Sequence, residues 1–254
     1  MMKNFTILLF TAIVFSSCLT GVPKGNKKAI TNDEWTVLLK KHVNDAGMVD
    51  YKGFIKDSNN LNKYLAKISE NAPASSWSND EKFAYWINAY NAYTVKLIVD
   101  NYPVKSIKDL APKNAVIFIN TAWDKKFFSI GGKKMTLNTI EHKILRKRFN
   151  DPRMHFAINC ASMSCPKLLN EAYEAKTLDK QLTGQAKDFL SDTNKNKVSK
   201  DKPELSSIFD WFNKDFTKTG KTKIGFINQY APVKINDNAP LKYLSYDWSL
   251  NEQK

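Results

Sequence analysis

The run Asp151-Pro152-Arg153-Met154-His155-Phe156-Ala157-Ile158-Asn159-Cys160-Ala161-Ser162-Met163-Ser164-Cys165-Pro166 concentrates the chain's reactive side chains. It holds two of the three cysteines and one of the three histidines. Thiol and imidazole together can perform covalent acyl transfer, with the thiolate attacking and the imidazole moving the proton. Pro166 is favoured in the first turn of a helix, which predicts a short helix through Lys167-Leu168-Leu169 with Cys165 at its N-terminus. Backbone amides and the helix dipole there favour a thiolate, so Cys165 is the expected nucleophile. Met154, Phe156 and Ile158 alternate with His155, Ala157 and Asn159, the pattern of a strand. His155 and Asn159 would then share a face about 13 Å apart and could not bond each other. Cys160 would point with the Met154 set and be the more buried thiol. His155 is one candidate base, and His142 beside Glu141 in a predicted helix is another. Asn88, Asn91 and Asn159 could orient the base or supply oxyanion contacts, and Arg153 and Cys160 are candidate binding residues.

A second chemistry fits the same residues. Exported cysteines usually end as disulfides, and a folded-back loop could bring Cys160 and Cys165 to the required Cα separation of about 4.4–6.8 Å. The bond would brace a loop that binds a partner. A redox-cycling variant is weakened by a spacing that is not Cys-x-x-Cys. The two cysteines and two histidines lack finger-like spacing, so no metal is expected. There is no glycine-rich phosphate loop or nucleotide fingerprint, and no cofactor is implied.

The elements that must position these groups are mostly helical. Thr31-Asn32-Asp33-Glu34 and Ser78-Asn79-Asp80-Glu81 both have the capping-box pattern. Helices are expected after the first box and over Ile55 to Ile68. The second box opens a segment apolar on nearly all sides, predicted as a buried central helix over about residues 79–101. Within it Asn88 and Asn91 are neighbours three apart and must find partners, either loop backbone or a ligand. Ala115–Ile119 and Phe127–Ile130 are β-prone, with Gly131-Gly132 as a turn before Lys133-Lys134-Met135. Thr136 should cap a helix running to about Phe149. Helices follow from Leu178 to Leu190 and from Leu205 to Phe216, with a short β pair near Lys197–Ser199 and Pro203–Leu205. Fold class is therefore α+β, helix-dominated: one compact domain with a small β-sheet that carries the His155 strand.

Lys3, an apolar run from Phe5 to Phe15 and Ser16-Ser17-Cys18 form a secretory signal, too short for a membrane span of roughly 20 apolar residues. Cys18 is the expected lipidation site, giving residues 1–17 as signal, 18–30 as lipidated N-terminus and tether, and 31–254 as a single globular domain. The protein is expected to be exported, in the cell envelope as an outer-membrane lipoprotein or in the periplasm, with membrane contact through the N-terminal lipid. The net charge of +14 comes mainly from lysines spread along the chain. Arginine, the usual base reader, occurs only at 146, 148 and 153, so nucleic acid is not an expected partner.

Four blocks resemble the bacterial family called domain of unknown function 547. They are Phe83-Ala84-Tyr85-Trp86-Ile87-Asn88-Ala89-Tyr90-Asn91-Ala92, Ile140 through Arg146, Asp151 through Pro166, and Tyr246-Asp247-Trp248-Ser249-Leu250-Asn251. They appear in the family's order and span about residues 80–251. The resemblance implies an exported single domain and carries no catalytic assignment. Ala161 departs from it, since glycine is expected after the first cysteine and alanine fits a left-handed backbone poorly. Two functions remain: a cysteine-dependent hydrolase or acyl-transferase acting on an envelope peptide or polymer, or a non-catalytic envelope binding or scaffold domain braced by a Cys160–Cys165 disulfide.

Overall fold

The sequence segment that is apolar on almost every side becomes the axis of the molecule. In the computed structural model, which describes residues 28–111, 121–218 and 220–254, helix α4 spans Asn79–Val99. Every residue from Phe83 to Val95 on it is buried. Its start is fixed by the expected capping box. Ser78 Oγ accepts from the Glu81 amide at 3.1 Å, and the Ser78 amide donates to Glu81 Oε2 at 2.6 Å. Before it lie α1 (Asp33–His42), α2 (Tyr51–Lys56) and α3 (Ser58–Glu70), which pack with it around Trp35, Phe54, Tyr64 and Ile68.

Two details of this half differ from expectation. Thr31 does not cap α1: Lys67 Nζ donates to both Thr31 Oγ1 and Glu34, so a tertiary contact takes the side chains the box needed. The helix expected over Ile55 to Ile68 is two helices. Asp57 interrupts them, its carboxylate accepting from Lys41 and bonding His42, which holds the break against α1.

Strands β1 (Phe128–Ile130) and β2 (Lys133–Met135) form the expected antiparallel hairpin around Gly131-Gly132. A π-helix then runs from Thr139 to Leu145 and continues as α5 (Arg146–Arg148). The Ala115–Ile119 expectation lies outside the described residues.

The His155 segment is not a strand. Residues Met154–Ala157 form a short helix, α6. Asp151 and Pro152 explain the difference: the Asp151 carboxylate accepts from the Arg153 amide, and the carbonyls of Asp151, Pro152 and Arg153 accept from the amides of Met154, His155 and Phe156. Proline presets the first turn. The apolar alternation arose because α6 lies between two cores. Met154 and Ala157 belong to the α4 core, whereas Phe156 belongs to a second one. That second core is built on α7 (Leu178–Ser191), α8 (Ile208–Trp211), α9 (Asn213–Thr217) and α10 (Lys223–Ile227). The second sheet pairs β3 (Glu204–Ser206) with β4 (Lys242–Leu244) in parallel, while Lys197 bridges Glu204. Neither sheet carries His155, so the small-sheet expectation holds and its attachment to the thiol segment does not.

Ser78→Ala should lower unfolding free energy by about 1 kcal/mol through loss of the cap. A denaturant titration would show this as a lower midpoint at unchanged slope.

Candidate functional site

Asparagine carboxamides on α4 place the thiol loop. Asn91 Nδ2 donates to the Ala157 carbonyl at 3.0 Å, and the Asn159 amide donates to Asn91 Oδ1 at 2.8 Å. One turn earlier, Asn88 makes the same two-point clamp on the amide and carbonyl of Tyr173. Both carboxamides are thus taken up by loop backbone. Asn159 closes the loop itself, donating to the Pro166 carbonyl at 2.8 Å and accepting from the Ala161 amide at 2.9 Å. The chain then turns back, with the Cys165 amide donating to the Ser162 carbonyl.

This fold-back brings the thiols together. Cys160 Sγ lies 2.8 Å from Cys165 Sγ, and the Cys160 amide donates to Cys165 Sγ, also at 2.8 Å. Both cysteines are free thiols. Cys160 Sγ is further bonded to Ser162 Oγ at 3.1 Å and to the Tyr246 hydroxyl at 3.3 Å. Ala161, between them, has φ of 59° and is the non-glycine residue at positive φ among the described residues. The position at which glycine was expected is therefore the one that adopts a left-handed backbone.

The electrostatics of the pair reverse the expected order. Burial pushes the Cys165 thiol well up, and the adjacent Cys160 pushes it further. No helix follows it: the carbonyls of Pro166 and Lys167 accept from the Asn159 and Gln185 side chains, so no helical ladder forms there to supply a dipole. Burial also opposes ionisation of Cys160, but the hydrogen bonds from Cys165, Ser162 and Tyr246 outweigh it, and the net direction is down. Cys160 is half-buried while Cys165 is fully buried. The expectation of a buried Cys160 and an activated Cys165 is thus inverted: Cys160 is the more exposed residue of the two and the one whose hydrogen bonds favour a thiolate.

The imidazoles form a separate cluster. His155 Nε2 lies 2.9 Å from Asp215 Oδ2 and its ring stacks on Phe212 with centroids 4.1 Å apart. Asp215 also receives Arg146 Nε and, at 2.9 Å, Lys218 Nζ. These partners outweigh its burial and hold its carboxyl far below the usual range. Arg146 donates through Nη1 to His142 Nδ1 at 2.8 Å, which fixes that nitrogen as the acceptor. Burial lowers the pKa of both histidines, with Arg146 adding to the effect. Arg146, His155, Asp215 and Lys218 line a narrow surface crevice. Among the described residues no hydrogen bond joins either thiol to either imidazole. Arg153 turns away from both clusters, pairing with Asp151 and reaching Asp179 and Thr183 of α7.

Glu141 stands between the clusters. Its carboxylate is buried, accepts from the Tyr90 hydroxyl at 3.2 Å, and is pushed by burial up to about 7 against the pull of Arg146 and Tyr90. Sequence reasoning did not find Asp215, Tyr90, Ser162 or Tyr246 as site members. Tyr246 had a signal in the last family-like block, and Ser162 lay in the thiol motif. Asp215 had none, being one acid within a run of aromatic core residues. Among the described residues no three His, Cys, Asp or Glu side chains converge on a metal-sized position.

A family model described as "Protein of unknown function, DUF547" matches residues 74–190. That span contains α4, the π-helix, the thiol loop and most of α7; Asp215 and Tyr246 lie beyond it. No curated protein and no solved structure matches the chain.

Asn91→Ala would leave the Asn159 amide and the Ala157 carbonyl without partners, so thermal or chemical unfolding should show a loss of about 1–3 kcal/mol. Ala161→Gly should do the opposite, relieving a left-handed alanine at a gain of up to about 1 kcal/mol. A midpoint that fell on the glycine substitution would show that the loop bears no backbone strain at this position.

Proposed function

We propose, starting from the DUF547 domain over residues 74–190, that this chain is an exported, lipid-anchored envelope protein whose reactive centre is the Cys160–Cys165 thiol pair. Cys160 attacks and Cys165 resolves. The observation that carries the reading is the asymmetry of two thiols 2.8 Å apart: one half-buried and surrounded by three hydrogen-bonding partners, the other buried and biased toward its protonated form. A thiolate attacks a disulfide sulfur, and its rate depends on thiolate fraction and access. Both favour Cys160.

The exchange balances as follows. The Cys160 thiolate attacks one sulfur of a disulfide-bearing envelope peptide, forming a mixed disulfide and releasing the other sulfur as a thiolate. Cys165, having lost its proton, attacks the Cys160 sulfur and expels the remaining substrate sulfur. The protein dithiol becomes a disulfide as the substrate disulfide becomes two thiols. The reverse sequence oxidises a substrate dithiol. Tyr246 and Ser162 supply hydrogen bonds to the Cys160 sulfur while it carries charge.

A cysteine hydrolase or acyl-transferase using His155 or His142 draws less support, because both imidazoles are occupied by Asp215 and Arg146 rather than by a thiol. Export and lipidation rest on the signal-like residues 1–17 and Cys18, which lie outside the described residues.

The test uses the reduced chain from Leu19 onward, whose thiols are Cys160 and Cys165, and an aromatic disulfide reagent that releases a coloured thiolate. The wild-type protein should release two equivalents, with no mixed disulfide accumulating. Cys165→Ser should release one equivalent and remain covalently loaded on Cys160. Cys160→Ser should react far more slowly, because its remaining thiol is buried. Rapid loading of Cys165 in that variant would overturn the assignment. A pair found bonded on purification, and reducible only after unfolding, would make the bond a structural brace instead.

A further inference from the structure

The Tyr246 hydroxyl that bonds the Cys160 sulfur at 3.3 Å belongs to a ring that the exchange chemistry above does not use. That ring joins an aromatic cluster drawn from three separate segments. Its centroid lies 4.9 Å from Trp211, at the end of α8, and 4.5 Å from Trp248, in the stretch after β4. The Trp211 and Trp248 planes are 15° apart with centroids at 5.9 Å, and Trp123 meets Trp248 edge-on at 5.6 Å. The thiol loop is stitched to the same stretch: the Met163 and Ser164 amides donate to the carbonyls of Ser249 and Asp247. Main-chain hydrogen bonds therefore fix the rings relative to Cys160. The cluster is not core. Trp211 is 48% exposed and Met163, in the thiol loop itself, 39%, while Trp123, Tyr246 and Trp248 are half-buried. Single exposed apolar side chains are ordinary, but contiguous apolar surface rimmed by polar groups marks an interaction site.

We infer that Trp211, Tyr246 and Trp248 form the surface that receives the disulfide-bearing peptide, selecting a large apolar or aromatic side chain beside the cysteine that Cys160 attacks. The inference rests on Cys160 being the reactive thiol, and it names the class of peptide that thiol takes. The occupant follows from the contact at Tyr246. A substrate sulfur must approach the Cys160 sulfur, so the chain attached to it runs past the residues around that atom. One of them, Tyr246, continues directly into the exposed rings. Tyrosine and tryptophan offer broad, stiff contact area that loses little side-chain entropy on binding. Their faces and edges accept a further ring in offset or edge-on geometry. The surface also carries charge. Lys108 Nζ stands 5.3 Å from the centre of the Trp248 ring, while the Asp247 carboxylate is taken up by the amide and hydroxyl of Ser249. An acidic residue following the aromatic one complements that ammonium.

The experiment compares two symmetrical peptide disulfides, the oxidised dimers of acetyl-Gly-Cys-Phe-Glu-amide and acetyl-Gly-Cys-Gly-Glu-amide, as substrates for the reduced chain from Leu19 onward. Single-turnover release of peptide thiol is measured for each and divided by its rate with dithiothreitol, which removes the intrinsic reactivity of the disulfide. The wild-type protein should favour the phenylalanine peptide by roughly threefold to tenfold, the range that one aromatic contact supplies. Trp211→Ala should bring that ratio close to one, and Trp211→Phe should restore most of it. Circular dichroism establishes that each variant is folded. A Trp211→Ala protein that slows both peptides equally, with the ratio intact, would show a structural role and overturn the inference. Equal wild-type rates for the two peptides would overturn it while leaving thiol exchange in place, and quenching of tryptophan fluorescence by a chitin oligosaccharide would then assign the rings to a glycan. A Cys160 that loads with the aromatic reagent but with neither peptide would also overturn the inference alone. A Cys160 that loads with none of the three would overturn the thiol-pair reading as well.

Discussion

Two hydrogen bonds at Asn91, one donated and one accepted, hold the thiol loop to the centre of the molecule. Asn91 is buried on a helix with almost no solvent-facing side, so its carboxamide needs partners inside the protein. It finds them in the Ala157 carbonyl and the Asn159 amide, at the exit of α6. That contact fixes where the chain leaves the helix, and with it the direction of Cys160. Asn159 then uses its own carboxamide to close the loop onto Pro166, which returns Cys165 to Cys160. Each link leaves no spare hydrogen-bonding group behind. A leucine at position 91 would fill similar space but would leave two backbone groups buried and unpaired, which is the costlier error.

The second organising fact is that burial acts in opposite directions on acids and bases. It raises Glu141 and Cys165, and it lowers His142 and His155. Near neutrality the interior therefore carries few charges, and those it keeps are matched. Asp215 is compensated by Arg146 and Lys218, with His155 bonded to the same carboxylate. Such a set works as a unit, because removing one member leaves a buried charge unbalanced. The thiol pair is organised by neutral donors instead: a backbone amide, a serine hydroxyl and a tyrosine hydroxyl. A site stabilised by neutral donors can gain and lose a charge without disturbing an ion-pair network.

How much of this could be read in the sequence depended on whether a signal was local. The Ser78–Glu81 cap, the all-round apolar pattern of α4 and the Gly131-Gly132 turn act over a few residues, and each appeared where expected. The Thr31–Glu34 box has an equally good local pattern, but Lys67, from a helix further along the chain, took its side chains. The α6 segment failed for a related reason. Alternating Met154, Phe156 and Ile158 normally marks two faces of a strand, whereas here the residues are shared between two separate cores. The thiol motif was visible, but the relative burial of its cysteines was not, because it depends on the Asn159 closure and on Tyr246 from the far end of the chain. Asp215 was invisible for the same reason: apart from Lys218, three residues on, its partners Arg146 and His155 come from distant segments.

The pH behaviour of the fold follows from the same opposition. A carboxyl raised in the folded state contributes stability that is present at low pH and declines as pH rises through its folded value, which for Glu141 is about 7. A histidine lowered in the folded state behaves in reverse. Its contribution is present above the unfolded value of about 6.5 and declines as pH falls through the folded value. Glu141 and the two histidines therefore pull against each other across the mildly acidic range, and their contributions partly cancel there. Asp215 adds a contribution that is lost only at far lower pH, because its partners hold it ionised. The ion-pair cluster is thus set to keep its charges through the range in which Glu141 changes its own.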